Sequence, residues 1–443
     1  MTEMPLTRLS FRNNMRKVSL LGGFCFFLSA LEYMIPKPLP FIRLGLANIP
    51  LLLALDIMPF SSFMVLGALK IIGQALISGT LFSYVFLFSL GGTGVSVLLM
   101  YGLRRGLGKE RIGFVGISTA GALASNGMQL ILAYFFVFGS SIRYAAAPIL
   151  ALGVVTGTLL GVVSEYFTRR SRWYARAAGN SPVTDAGLEA VPEAQEQGSA
   201  VQTERGFGKK RGSSGKTFER LRKVRETFCM ETFSSGELAA AGLCMMPALL
   251  LNPDTTTRVI QFLFFWVLAW LSGKKNNPLI TVSIMAGIVF FNLLVPYGEI
   301  LATAGPLTIT SGALLGGIRR AVTLEGLFML SRCCVRKDLA LPGVFGEITG
   351  EAFRVFSVMA AEKQLLNPQN WTQRLDGLLI SLDGETEKTT QEKTGTSSSP
   401  VKQILRPESQ SSGPKTHKAR GRIILAAAII LSWLPLLRAF PRQ

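Results

Sequence analysis

Apolar residues along this chain come in runs close to the roughly 20 residues a helix needs to cross a bilayer, with charged residues confined to the gaps. The first run, Val18 to Ile35, follows Arg12, Arg16 and Lys17 and stops at Pro36, Pro38 and Pro40. A basic start also opens a signal peptide, but no small-residue cleavage site follows and further apolar runs come at once, so it reads as a retained span. Leu44 to Met58, Phe60 to Ser78, Leu81 to Leu103, Ile112 to Phe138 and Ala145 to Phe167 complete a block of six. The second of these is short, carries Asp56 and reads as broken or re-entrant. Apolar runs resume at Leu238 to Leu251, Val259 to Leu271, Leu279 to Val295 and Ile300 to Leu315, and Ile423 to Leu437 is the last. The pattern predicts an all-α polytopic membrane protein of about eleven transmembrane helices, six and then four plus one.

The segments between these runs differ in kind. Residues 171–236 are rich in Ala, Gly, Ser, Glu, Lys and Arg, hold too few apolar residues to bury a core, and read as a disordered basic cytoplasmic linker. Residues 319–383 turn amphipathic: Ile348, Ala352, Val355, Phe356 and Met359 share one helical face, and Trp371, Leu375, Leu378, Leu379 and Leu382 continue it. A helix of this kind lies on a membrane or against a partner. Residues 384–421 form a low-complexity segment of Thr, Ser, Glu, Lys and Pro, read as disordered over most of its length. The chain thus divides into a six-helix domain over 1–170, the linker 171–236, a four-helix block over 237–318, amphipathic cytoplasmic helices over 319–383, the low-complexity stretch 384–421 and a final transmembrane helix over 422–443.

Charge sharpens this picture. Lys and Arg number 46 against 27 acidic residues, for a net +19, a balance that invites a nucleic-acid reading. Only 16% of residues are charged, however, and the cations collect in loops. The N-terminal tail, the group Arg104, Arg105, Lys109 and Arg111, and the group Arg169, Arg170, Arg172 and Arg176 fall on one side of a six-span block, which the positive-inside rule places in the cytoplasm together with the N-terminus. Lys37, Arg43 and Arg143 fall on the other. The expected partner is therefore the lipid bilayer and not nucleic acid. Five scattered cysteines without C-x-x-C spacing and the lone His417 give a metal, a cofactor or a catalytic triad nothing to build on. Gly212-Ser-Ser-Gly-Lys-Thr217 resembles the end of a phosphate-binding loop, but Lys210 stands where its first glycine belongs, so no nucleotide site is expected.

Polar side chains inside spans are costly and mark candidate chemistry. Glu32 lies in the first span; Lys70 and Gln74, four apart, share one face of the third; Asn126 and Gln129, three apart, share one face of the fifth. With Arg43 and Asn48 they are candidates to line a solute pocket reached from outside, against the alternative that they hold helices together by interhelical hydrogen bonds. Lys70 is the sharpest case, because an ammonium in a span needs a carboxylate, backbone carbonyls or an anionic ligand; Glu32 and Asp56 are the acids nearby. Gly153, Gly157 and Gly161 recur every four residues and predict close helix packing, with the facing partner left open.

The stretch Glu32-Tyr-Met-Ile-Pro-Lys-Pro-Leu-Pro-Phe-Ile-Arg-Leu-Gly-Leu-Ala-Asn48, followed by Asn126-Gly-Met-Gln129, resembles the Gx transporter family, often labelled heptaprenyl diphosphate synthase component I. That family looks like the substrate-binding S components of energy-coupling-factor (ECF) transporters. The second half is similar to the T component of those transporters, through Asn277-Pro-Leu-Ile and Arg320-Ala-Val-Thr-Leu-Glu-Gly-Leu-Phe-Met-Leu-Ser-Arg332. The resemblance implies a fused membrane subunit of the bacterial cytoplasmic membrane, binding a small vitamin- or precursor-like solute and coupling to separate ATP-binding-cassette ATPases through Arg332 and Arg420. The competing reading is a non-catalytic component of a heptaprenyl or polyprenyl diphosphate synthase system; a structural scaffold is a third. Catalysis by this chain is not expected, since Asp376 and Asp383 are isolated acids and not the aspartate-rich motif that holds magnesium and diphosphate.

Overall fold

Residues 12–34 pair a basic entry with an apolar run, and the computed structural model draws them into one long helix, α1 (Met4–Met34). The structure describes residues 4–34, 44–179, 213–274, 277–304, 307–336, 339, 341–362, 371–392 and 415–439. Asn48 and Pro50 start a six-residue helix, α2 (Ile49–Ala54), with proline in the first turn, where its missing N–H is no loss. This is the broken piece expected over Leu44 to Met58. α3 (Phe60–Ser78) ends at Gly79, whose positive φ of 65° closes the helix. α4 (Tyr84–Leu107) and α5 (Phe114–Ala133) follow, and a π-turn over Tyr134–Phe138 with a 3-10 turn over Gly139–Ser141 folds the chain back into α6 (Ile142–Arg170).

The glycine row of α6 packs on α5. A Cβ on Gly157 would fall 2.8 Å from Thr119 Cα, and one on Gly161 would fall 2.5 Å from Val115 Cα. Their numbers run in opposite directions, so α5 and α6 are antiparallel, and the continuous apolar segment Phe114–Arg170 is two passes and not one. Asn14–Met34, Phe60–Ser78 and Tyr84–Leu107 are likewise long and apolar enough to cross a bilayer, giving four such segments among the described residues, or five with the bent pair Val224–Thr232 and Ser235–Leu250. The described residues form an almost entirely α-helical protein with several helices long and apolar enough to cross a membrane.

Two expectations for the linker are corrected at its ends. Residues 172–177 form a short helix, α7 (Arg172–Ala177), with Trp173 and Tyr174 buried, and residues 213–232 form α8 (Ser213–Thr232). Ser213 to Thr217, the phosphate-loop look-alike, is therefore helix. α9 (Ser235–Leu250) opens on a capping box, with Ser234 Oγ accepting from the Glu237 amide at 3.2 Å. α10 (Thr255–Leu271) is capped by Asp254 and α11 (Pro278–Leu293) by Asn277.

The span expected at Ile300 to Leu315 is helical only from Ser311 onward. Residues 300–304 and 307–310 form an antiparallel ribbon, β1 (Ile300–Ala304) and β2 (Leu307–Thr310), pairing Thr303 with Thr308. The β-branched Ile300, Thr303, Thr308, Ile309 and Thr310 favour the pleated form. The fourth helix of the block is instead α12 (Ser311–Cys334), which takes residues 319–332 out of the amphipathic segment and puts Ala321 to Ser331 largely into the core. α13 (Gly343–Ala361) and α14 (Trp371–Glu392) are amphipathic as expected; α14 runs past residue 384, and α15 (Lys415–Ala439) begins before residue 422, so both ends of the low-complexity stretch are helical.

The amphipathic faces meet the chain's own first block. Ile348, Ala352, Val355, Met359, Leu375, Leu379 and Leu382 share one core with Val18, Leu21 and Cys25 of α1. Gly22 and Gly23 permit the approach: a Cβ on Gly23 would lie 2.5 Å from Val355 Cβ. At one end of the block, the Asp376 carboxylate caps α7 through Ser171 Oγ and the amides of Arg172 and Trp173. At the other end, the Phe82 amide donates to Ser331 Oγ at 3.0 Å, and a Cβ on Gly139 would meet the Arg320 guanidinium. Positions 320 and 331 of α12 are about 16 Å apart along a helix axis. α12 thus runs across that end of the first block and not alongside its helices.

Candidate functional site

A small cleft, with about 40 Å³ of interior space, lies among α1, α3, α4, α5 and α6 and is lined on one side by Leu44–Asn48. Glu32, Asn48, Lys70, Gln74, Asn126 and Gln129, all expected to line a pocket, do line it. Arg43 lies outside the described residues.

The Leu44-Gly-Leu-Ala-Asn48 segment is shaped by its glycine. Gly45 sits at φ 80°, a conformation glycine adopts without strain, and this turns the amides of Leu44 and Leu46 toward Glu32. They donate to Glu32 Oε1 at 2.8 Å and Oε2 at 3.1 Å. The fully buried carboxylate therefore anchors this loop on α1. Ala47 O accepts from the Cys25 thiol at 3.5 Å, and Asn48 ends the loop facing α3.

Lys70 is 5% exposed, and its Nζ donates to Asn48 Oδ1 at 2.5 Å and Thr93 Oγ1 at 3.3 Å. Asp56, the other acid considered for it, is engaged elsewhere. Arg104 grips Asp56 with Nε to Oδ1 at 2.9 Å and Nη2 to Oδ2 at 2.6 Å, while Tyr174 donates to Oδ2 at 3.1 Å and Lys109 lies 3.6 Å away. Burial pushes the Asp56 carboxyl up; the Arg104 hydrogen bonds and charge, with Lys109 and Tyr174, outweigh it and hold it below the usual carboxylate range. Burial, with the Asp56 charge beside it, raises the Tyr174 phenol.

Asn126 Nδ2 donates to Ile149 O at 3.0 Å, and Gly153 clears the way, since a Cβ there would fall 2.5 Å from that nitrogen. Gly153 thus serves an amide contact, while Gly157 and Gly161 serve backbone approach. Gln129 Nε2 donates to Ser125 Oγ at 3.1 Å, and Ser89 Oγ donates to Gln74 Oε1 at 3.4 Å.

Sequence reasoning missed the hydroxyl lining. Ser89, Thr93 and Ser96 on α4 and Ser118 and Ser125 on α5 face the cleft. Their spacings of three, four and seven residues put each set on one helical face, a signal that single serines and threonines in apolar spans conceal.

The two arginines singled out for ATPase coupling part company. Arg332, in the last turn of α12, is half-buried, stacks over Phe328 at 5.5 Å and comes within 4.0 Å of the Cβ position of Gly79 in the first block. Arg420 is exposed near the start of α15, on a clear helix. Asp376 caps α7, and Asp383 lies 3.8 Å from Arg16. Among the described residues no cluster of three His, Cys, Asp or Glu side chains is placed to hold a metal ion.

Residues 238–337 match a family model described only as a domain of unknown function. No curated protein and no solved structure matches the chain. Residues 21–167, a segment that contains the whole lining of the cleft, match the family model of heptaprenyl diphosphate synthase component I.

Proposed function

We propose that the chain is a membrane subunit of an ATP-driven importer of the energy-coupling-factor type, in which the first block holds a small solute and the rest couples it to separate ATP-binding-cassette ATPases in the cytoplasm. The observation that carries this reading is the cleft: a buried lysine, four amides and a set of hydroxyls converge inside a helical bundle where polar groups are costly. The docking of the second half supports the same reading. α13 and α14 lie along α1 while α12 crosses one end of the block, so a shift of the second half moves the whole bundle around the cleft.

The description of the matching family favours a second reading, a non-catalytic membrane component of a polyprenyl diphosphate synthase system. On both readings the chain is not itself an enzyme. Purification of the full chain from its native membrane in mild detergent separates them. ATPase subunits that copurify, with ATP hydrolysis stimulated by the chain, support the importer; a soluble prenyl synthase in their place supports the second reading and overturns the first.

A further inference from the structure

The hydrogen-bonding atoms left over in the cleft specify what it accepts, and this step rests on the first block being a solute-capturing unit. The Lys70 ammonium orients Asn48 with Oδ1 toward it, because an ammonium has no acceptor; the donor side, Nδ2, remains beside Gly45. Across the cleft, Ile149 O accepts from Asn126 Nδ2, which leaves Asn126 Oδ1 as an acceptor. Gln129, one turn on, donates Nε2 to Ser125 and leaves Oε1. Among the described residues these three amides make no further side-chain hydrogen bonds. Ser96 of α4, also in the lining, is 2% exposed and its hydroxyl has no partner. A buried hydroxyl without a partner is rare and needs an explanation. The carboxylate in the lining, Glu32, is held by backbone amides.

The α5 side of the lining thus offers carbonyl acceptors, the Leu44–Asn48 loop an amide donor, and α4 a hydroxyl. We propose that the cleft binds a small neutral solute bearing a carboxamide or a cyclic amide, whose N–H groups donate to Asn126 and Gln129 and whose carbonyl accepts from Asn48 Nδ2 or the Ser96 hydroxyl. A diphosphate meets one cation, Lys70, already bonded to Asn48 and Thr93, and would set the rest of its charge against the Glu32 carboxylate and the two carbonyl oxygens. A prenyl chain would find little apolar lining, Leu44, Ala47, Met100, Ala122 and Leu160 among mostly polar side chains.

The test uses the full chain in lipid nanodiscs, with ligand-observed NMR on nicotinamide and 2-pyrrolidone as neutral amides, nicotinate as the matched carboxylate, and inorganic pyrophosphate. Native mass spectrometry of the same sample reports any retained molecule. Binding of the amide probes over nicotinate and pyrophosphate, or a retained molecule that carries an amide, supports the proposal. Ser96→Ala is then expected to weaken amide binding about 3- to 10-fold with no loss of thermal stability, since removing an unpaired buried hydroxyl leaves no donor orphaned. Preference for nicotinate or pyrophosphate, or a retained molecule without an amide, overturns the amide class and leaves solute capture standing. Amide binding that Ser96→Ala does not weaken overturns this placement. No probe bound and no retained molecule overturns the solute-capturing reading as well.

Discussion

The Asp376 carboxylate on α14 accepts the backbone amide of Trp173 on α7 at 3.0 Å, with the Arg172 amide at 3.1 Å on its other oxygen. A side chain from one end of the sequence thereby satisfies the first turn of a helix at the end of the first block, where the amides have no partner within their own helix. Asp376→Ala orphans these donors at about 1–3 kcal/mol each. The expected result is a lower thermal midpoint in detergent and faster trypsin cleavage within α14 at the exposed Arg374. Asp376→Asn keeps one acceptor oxygen and should lose less; equal stability of all three proteins would show that α14 does not depend on this cap.

Asp56 and Arg104 give a pH-dependent contribution at the same end. The Asp56 carboxyl is held below its ordinary range, so its contribution is fully present above the unfolded carboxylate pKa of about 4 and is lost as pH falls through the lower folded value. Thermal midpoints recorded from pH 7 downward should therefore fall more steeply for the natural chain than for Asp56→Asn. Arg104→Ala strands a nearly buried carboxylate and is expected to cost about 3–5 kcal/mol at pH 7. The Asn variant, which removes the charge with its need for a partner, should cost less than Arg104→Ala.

Much of the first block was legible because its chemistry is local. Lys70 and Gln74, and Asn126 and Gln129, lie one turn apart on single helices, so the 3.6-residue period alone puts each pair on one face, and one cleft collects both. The partner of Asp56 was not legible, because Arg104 is 48 residues away and a helix period says nothing across that distance. Ile300 to Leu315 failed for a different reason. A short apolar run reads equally as helix or strand, and pairing with a neighbouring segment, which no period records, decided for the ribbon. The apolar faces of α13 and α14 were visible, whereas what covers them, α1 with its Gly22 and Gly23, is a tertiary fact.

The glycines make a graded prediction. A Cβ on Gly161 would press on Val115 backbone at 2.5 Å, while nothing lies within 4 Å of one on Gly127. Gly161→Ala must push α5 and α6 apart and is expected to cost about 1–3 kcal/mol. Gly127→Ala, in the open middle of α5, should gain about 0.5–1 kcal/mol from helix preference. Thermal unfolding of the two variants in one detergent tests both signs, and matching shifts would contradict the packing described.

The coupling reading separates its two arginines. Arg420 is exposed, so Arg420→Glu is expected to reduce ATPase copurification at least tenfold while leaving thermal stability unchanged. Arg332 also touches the first block, so Arg332→Glu should both lose the ATPases and loosen the contact of α12 with the turn at Gly79. Full ATPase recovery with both variants would remove these residues from coupling.

Lys70 tests the cleft itself. Its ammonium holds Asn48 by a 2.5 Å hydrogen bond and so fixes the donor edge that the loop presents, besides placing a positive charge inside the bundle. Hydrogen bonds to a charged group are worth about 1.5–3 kcal/mol, and Lys70→Met, which keeps the bulk and removes the charge, should weaken solute binding by about 10- to 100-fold. The fold should tolerate the change, because exchanging a buried ammonium for an apolar side chain of similar volume removes a desolvation cost along with the bond. Occupancy of the molecule retained by the natural chain, followed by native mass spectrometry at equal protein concentration, reads the first effect, and the thermal midpoint without added solute reads the second. Unchanged occupancy would take Lys70 out of the binding site. A collapsed midpoint would instead make it a structural cation whose bonds to Asn48 and Thr93 hold α3, α4 and the loop together.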